Sequence, residues 1–314
     1  MSLTAIIAGQ GALPGLIVAE LQARGLSFVL AELEGNSSAV DGVEPVRFRV
    51  ERLVPFLDHL VGLGVTQVVM AGAVRRPERL EPDLFDPRTA TLVPRLLAAM
   101  GQGDDGALRI IIEIFEESGL AVVGVHDLLP DLLPGSGVLT RAQPGQRHRE
   151  AAQLGETTVA EMGRSDSGQA CIVAGDEVAL REGPDGTDAM IARLLHSPVV
   201  GVPSPALGRA FAAAFGMPDH VAARMIVAAY ERLAAEPRVR ARDAILFKAP
   251  KPGQDRRADL PVVGPGTAVL AAEAGLAGIV IEAGGVMVID LPRVLMLLDA
   301  MGLFLWVRPR GAAR

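Results

Sequence analysis

The stretch Lys248-Ala249-Pro250-Lys251-Pro252-Gly253-Gln254-Asp255-Arg256-Arg257-Ala258-Asp259-Leu260-Pro261 gathers the residue types from which phosphate chemistry is built. Four cations and two carboxylates fall between Lys248 and Asp259, inside a frame of prolines and a glycine. A buried-looking strand, Ala244 to Phe247, precedes the stretch, and a helix starts beyond it near Gly266-Thr267. Such a frame predicts a shaped loop, since a merely solvated charged loop needs few prolines. Asp255 and Asp259 suit Mg²⁺, which takes one or two carboxylates and completes its shell with water and phosphate oxygens. Lys248, Lys251 and Arg257 are the cations that would face phosphate charge. Gln254 in the loop and Thr267 beyond it are read as substrate-binding residues.

Other segments offer weaker signals. Gly9-Gln10-Gly11 lies between a strand and a helix, where backbone N–H groups and the positive end of a helix favour phosphate. Pro14 replaces the third glycine of a dinucleotide fingerprint, and Glu32 or Glu34 stands about 20 residues on, where a ribose-binding acid would sit. A tight turn with no ligand is the alternative. Arg75 and Arg76 follow a strand and could clamp a phosphate or simply be solvated. Thr187-Asp188 places a hydroxyl and a carboxylate at a helix start, as cap or as ligand. Asp104-Asp105 reads as a cation site or an N-cap, His126 as structural or functional, and Glu282 as a further acidic candidate. The histidine spacing does not suggest zinc, and neither a P-loop nor a Gly-x-Ser-x-Gly elbow appears.

These residues need a scaffold, and apolar periodicity outlines one. Strands at Thr4–Ala8, Phe28–Leu33, Gln67–Ala71 and Ala121–Val125 alternate with helices near 13–25, 53–61, 89–100 and 104–119. Alternation of this kind predicts a Rossmann-like parallel sheet with right-handed crossovers. The Pro- and Gly-rich run 130–137 suggests a boundary, giving an N-terminal domain over 1–135 and a C-terminal one over 136–314. The second has a mixed α/β grain. It contains a helix at 147–162, a hairpin of Gln169–Ala174 with Glu177–Arg181, and a second hairpin of Gly278–Glu282 with Val286–Ile289 turned by Gly284-Gly285. Helix 292–301 and strand 304–307 close the chain.

Composition sets limits on function. The chain has 314 residues, half of them hydrophobic but only 4% aromatic, so its cores rest on Ala, Val, Leu and Ile. A net charge of −7 argues against a nucleic-acid partner. The single cysteine, Cys171, excludes an intramolecular disulfide and fits a reducing compartment. The apolar region 274–307 is broken by Glu282, Asp290, Arg293 and Asp299, and Met1–Thr4 lacks the basic stretch of a signal peptide. The expectation is a cytoplasmic protein able to touch a membrane surface.

Taken in order, Ile7-Ala8-Gly9-x-Gly11-x-Leu13-Pro14, Met70-Ala71-Gly72-x-Val74-Arg75-Arg76-Pro77, Gly103-Asp104-Asp105, Val123-Gly124-x-His126, Gly186-Thr187-Asp188-Ala189-Met190 and Lys251-Pro252-Gly253-Gln254-Asp255-x-Arg257-x-Asp259-x-Pro261 resemble the LpxI family. These are UDP-2,3-diacylglucosamine pyrophosphatases of lipid A synthesis, and the resemblance runs through nearly the whole chain. It implies magnesium-dependent hydrolysis of a nucleotide-lipid substrate to UMP and diacylglucosamine 1-phosphate, with water attacking the α-phosphorus. It also implies two domains with the lipid held between them, and an apolar cleft for two acyl chains. The Pro- and Ala-rich helical stretch 195–243 departs from the family and reads as a lid or an oligomer contact.

The expectation is therefore Asp255 and Asp259 as Mg²⁺ ligands and, with Lys251 and Arg257, as catalytic residues. Gly9, Gly11, Arg75, Arg76, Thr187, Asp188, Lys248, Gln254 and Thr267 bind substrate. Peripheral contact with the inner membrane and a homo-oligomer fit the same reading. A nicotinamide-dependent oxidoreductase and a non-catalytic nucleotide- or lipid-binding regulator are the rival readings.

Overall fold

The computed structural model describes residues 3–75, 77, 79–101, 104–195 and 243–311. The chain forms two compact units, Met1–Asp131 with Gln254–Asp259, and Leu132–Gly253 with Leu260–Arg314. The hexapeptide carrying Asp255 and Asp259 thus belongs to the first unit, although its neighbours on both sides belong to the second. The stretch expected at 195–243 lies, apart from Leu195 and Asp243, outside the described residues.

The first unit comprises β1 (Leu3–Ala8), α1 (Leu13–Ala23), β2 (Phe28–Leu33), β3 (Val46–Phe48), α2 (Leu53–Gly62), β4 (Val65–Ala71), α3 (Pro87–Ala90), α4 (Val93–Gly101), α5 (Asp104–Glu117), β5 (Ala121–Val123) and α6 (Val125–Leu128). Its sheet has the order β3-β2-β1-β4-β5, and every pairing is parallel. This is the parallel sheet that the alternating pattern predicts. The short edge strand β3 escapes that pattern because only three residues pair with β2. A single helix was expected over 89–100; two form instead. Asp86 caps α3 by accepting from the N–H groups of Arg88 and Thr89, and Pro94 lacks the N–H that would have bridged the break. The core of this unit joins Ala5, Ala31 and Val68 of the sheet to Leu57 and Leu60 of α2 and Ile112 and Phe115 of α5.

The second unit comprises β6 (Gly137–Val138), α7 (Gln146–Arg164), β7 (Ala170–Ala174), β8 (Glu177–Arg181), α8 (Gly186–Leu195), β9 (Ala244–Lys248), β10 (Val262–Val263), α9 (Pro265–Glu273), β11 (Gly278–Glu282), β12 (Met287–Val288), α10 (Leu291–Met301) and β13 (Phe304–Arg308). Its mixed sheet runs β6-β13-β11-β9-β7-β8, with β13, β11 and β9 mutually parallel. Side chains alternate cleanly across it. Ile172, Leu246, Ile279, Ile281 and Leu305 pack with residues of α8, α9 and α10, while Cys171, Val173, Ile245, Phe247 and Val280 pack under α7. Gly155 lets α7 sit against Phe247, since a Cβ there would collide with that ring.

The hairpin β7–β8 forms as read, with Gly175 at φ 64° in its turn. The second expected hairpin does not form. β11 is buried at every residue and sits between β9 and β13, the place of a central parallel strand, so it has no edge to offer Val286–Ile289. Met287 and Val288 pair in parallel with Val262 and Val263 instead.

At the start of α7 the His148 Nδ1 accepts from the Gly145 N–H at 3.0 Å, and its ring lies against Phe304. Burial holds the imidazole below its ordinary pKa, with Asp243 opposing the shift. The unfolded chain therefore binds this proton more readily than the native one, so acid favours unfolding. The contribution is complete above the unfolded value, about 6.5, and is lost as pH falls through the native one. Urea midpoints measured against pH should show this loss in the wild type and a smaller one in His148→Asn, whose side-chain oxygen keeps the cap.

Among the described residues no helix is long and apolar enough to cross a membrane.

Candidate functional site

In the first unit, the carboxyl ends of β1 and β4 carry two interlocked loops. Gly9 N–H donates to the Ala71 carbonyl, Gln10 N–H to that of Ala73, and Ala73 N–H back to Gln10. A Cβ at Gly9 would strike the Ala73 carbonyl, and one at Gly72 would strike Gln10. The glycines therefore serve close backbone approach. The N–H groups of Gly9 and Gln10 are spent, so Gly9 offers no donor to a phosphate. Gly11 adopts φ 103°, a conformation the turn requires. Glu32 accepts from the Ser38 amide and hydroxyl, and the exposed Glu34 pairs with Arg49.

Asn36 fixes the next loop, accepting from Arg75 N–H at 2.6 Å and donating to its carbonyl at 3.1 Å. The Arg75 side chain is exposed and makes no ion pair among the described residues. Arg76 lies outside the described residues.

The hexapeptide Gln254–Asp259 is a tight polar knot in this unit. Asp255 Oδ1 accepts from the Arg257 N–H and Nε, both at 3.0 Å, and Oδ2 from Nη2 at 2.8 Å. Arg257 Nη1 also reaches Glu116 on α5 at 2.6 Å. Asp105, held by Arg109, accepts from the Asp255 N–H at 3.1 Å. Gln254 donates to Asp259 at 2.6 Å. The fork of Arg257 holds the Asp255 carboxyl below the usual carboxylate range and raises the guanidinium in turn.

The same unit contains a pocket of about 450 Å³ at the carboxyl ends of β1, β2 and β4. Ile7, Leu33, Met70, Ile111 and Phe115 line it, and Ala258 and Asp259 form part of its wall.

In the second unit a buried chain of polar groups joins Lys248, Thr187 and Glu182. Lys248 Nζ donates to the Thr187 hydroxyl at 2.7 Å and to the Val262 carbonyl at 3.0 Å. Thr187 donates in turn to Glu182, which also accepts from the Gln169 N–H at 2.7 Å. Thr187 therefore does not cap α8; its hydroxyl is a link between two charges. Asp188, exposed beside it, accepts from the Thr267 hydroxyl at 3.0 Å, bringing the starts of α8 and α9 together. Lys251 is paired with Asp166, which adopts φ 50°, and Pro252 packs so closely on Gly163 that no Cβ fits there. Glu282 is buried at the end of β11, with Arg310 at 3.9 Å. His126 has a buried Nδ1 without a partner among the described residues, and belongs to neither cluster.

Sequence reasoning thus names members of two clusters, one in each unit. It misses Glu116 and Glu182, and it reads Asp105 as a cation site or N-cap rather than as the acceptor of the Asp255 N–H. Among the described residues no three His, Cys, Asp or Glu side chains come together in a way that could hold a metal ion. Asp255 as placed does not fit Mg²⁺, because both its oxygens are taken by a guanidinium that competes for the same charge. Asp259 accepts from the Gln254 amide at 2.6 Å.

Comparison with known proteins covers both units. The profile of the LpxI N-terminal domain matches residues 3–132, and that of the LpxI C-terminal domain matches 135–206 and 222–306. A protein of Caulobacter vibrioides named UDP-2,3-diacylglucosamine pyrophosphatase LpxI is 32% identical over 302 residues, spanning 95% of each chain. The C-terminal match takes in 195–206 and 222–243 of the stretch read as a departure from the family, which leaves only 207–221 outside it.

Proposed function

The chain belongs to the LpxI family, and on that premise we propose that it hydrolyses the pyrophosphate bond of UDP-2,3-diacylglucosamine to UMP and 2,3-diacylglucosamine 1-phosphate. The observation that carries the proposal is the 32% identity, sustained over 95% of both chains, with a pyrophosphatase of that name. Water bonds to the α-phosphorus, the bond to the bridging oxygen breaks, and that oxygen leaves with the β-phosphate of the lipid.

The chain's own groups supply charge and position. Arg75, exposed on a loop pinned by Asn36 and without an ion pair among the described residues, would meet phosphate oxygens. Asp255, ionised and held by Arg257, is a weak proton acceptor near neutral pH. Its role is to orient the attacking water or the substrate rather than to take a proton. Lys248, through Thr187, sets the start of α8, where Asp188 and Thr267 meet.

Mg²⁺ is part of the proposal as a companion of the substrate's pyrophosphate oxygens, with water filling the rest of its shell, and not as an ion held by Asp255 in its Arg257-bound position. EDTA should lower UMP release from UDP-2,3-diacylglucosamine at least tenfold, and excess Mg²⁺ should restore it. Unchanged release in EDTA would remove the metal from the account. UMP release that fails under every metal condition would remove the activity itself, leaving a binding role.

A further inference from the structure

The hexapeptide knot is held from one side by α5, and the periodicity of that helix explains how. Asp105, Arg109, Ile112 and Glu116 recur at spacings of four, three and four residues, which places them on one stripe of the helix. Ile112 is 2% exposed, and Ala258 packs against the core to which it belongs. The charged ends of the stripe reach the knot on either side. Asp105 accepts from the Asp255 N–H at 3.1 Å, and Glu116 accepts from Arg257 Nη1 at 2.6 Å.

Stability does not account for Glu116. α5 ends in Glu113, Glu116 and Glu117, where the helix dipole favours cations. Arg95 of α4 takes Glu113 and Glu117, and Arg257 takes Glu116. The Arg257 and Glu116 side chains are 38% and 43% exposed, and so open an ion pair adds little to stability. What the pair does fix is direction. A guanidinium is a flat fork, and Arg257 gives Nε and Nη2 to Asp255 while Nη1 goes to Glu116. The bonds between Asp255 and Arg257 are internal to the loop and cannot place it. The bonds to Asp105 and Glu116 can.

We propose that Asp105 and Glu116 are positioning residues of the hydrolysis, acting on the substrate through Asp255 and Arg257. The proposal rests on the pyrophosphatase reading for the reaction they serve. Asp105 places the Asp255 backbone, and Glu116 sets the plane of the Arg257 guanidinium. Arg109, paired with Asp105 at 2.8 Å, keeps that carboxylate in place. Charge that grows on phosphoryl oxygens is stabilised by donors already aimed at it, so a loosened fork loses turnover more than affinity.

The test compares Glu116→Ala, Glu116→Gln, Asp105→Ala and Asp105→Asn, with UMP release from UDP-2,3-diacylglucosamine and thermal unfolding read on each. The alanine variants should lose about tenfold or more in kcat with KM little changed, as when a reacting group is misplaced. The amide variants keep an oxygen that accepts the same bond and should recover most of that loss. Glu116→Ala should unfold no earlier than the wild type, because it removes an acid from the wrong end of a helix. Placed on Arg257→Lys, it should add little to the loss already made, since a lysine has no fork to aim. Independently of turnover, the Arg257 Nε–H should exchange with solvent severalfold faster in Glu116→Ala than in Glu116→Gln. Alanine variants with wild-type kcat, amide variants no better than the alanines, or kcat losses matched by earlier unfolding would overturn the proposal. So would fully additive losses on Arg257→Lys, or equal exchange rates. A wild type that releases no UMP, with the exchange difference intact, would instead sink the pyrophosphatase reading and with it the catalytic half of the proposal.

Discussion

Asp255→Ala is expected to lower UMP release about 100-fold or more, the scale seen when one preorganised polar contact to a reacting centre is lost. The residue stands at the middle of the hexapeptide knot, giving both carboxylate oxygens to Arg257 and its amide to Asp105. Removing the carboxylate leaves Arg257 bound to Glu116 and leaves the turn carbonyl intact. The free energy of unfolding should therefore fall by no more than ~1 kcal/mol, as for other partly exposed ion pairs. Steady-state release of UMP, alongside urea unfolding of the same preparation, separates the two effects. Near-normal turnover by a folded variant would show that the knot is scaffolding and that the chemistry lies elsewhere.

Lys248→Met is expected to act mainly on stability. Lys248 is 6% exposed and Glu182 8%, and the buried Thr187 hydroxyl links the two. Deleting the cation leaves a buried carboxylate without its balancing charge, which costs ~3–5 kcal/mol. The double variant Lys248→Met/Glu182→Gln removes both charges and should recover much of that loss, because a neutral pair has no uncompensated ion to bury. Thermal or urea unfolding of the two single variants and the double reads the cycle. Additive losses would mean that Lys248 and Glu182 do not act as one unit.

The scaffold is legible in the sequence where local signals and burial agree. The strand–helix alternation of the first unit and the β7–β8 hairpin both follow from apolar runs punctuated by glycine. At the second hairpin a distant partner overrules the local pattern. Gly284-Gly285 looks like a hairpin turn, yet β11 is claimed on both sides by β9 and β13. Gly9 reads as part of a phosphate turn, and its lack of a side chain also answers to the Ala73 carbonyl that lies against it.

The candidate site divides in the same way. The density of charge between Lys248 and Asp259 is visible at once. What each charge faces is not, because Asp105 and Glu116 lie 150 and 141 positions from the residues they bind. Lys251 illustrates the consequence. Its type and place suggest a phosphate ligand, but the fold presents it to Asp166. Glu182 carries no motif at all, and becomes recognisable only once Thr187 and Lys248 are brought to it.

The central claim is that this chain cleaves a nucleotide-lipid pyrophosphate by attack of water at the α-phosphorus. The most direct test is turnover of UDP-2,3-diacylglucosamine in ¹⁸O-labelled water, with both products read by mass spectrometry. The account predicts label in UMP and none in 2,3-diacylglucosamine 1-phosphate. Label confined to the lipid product, or no cleavage at all, would contradict it.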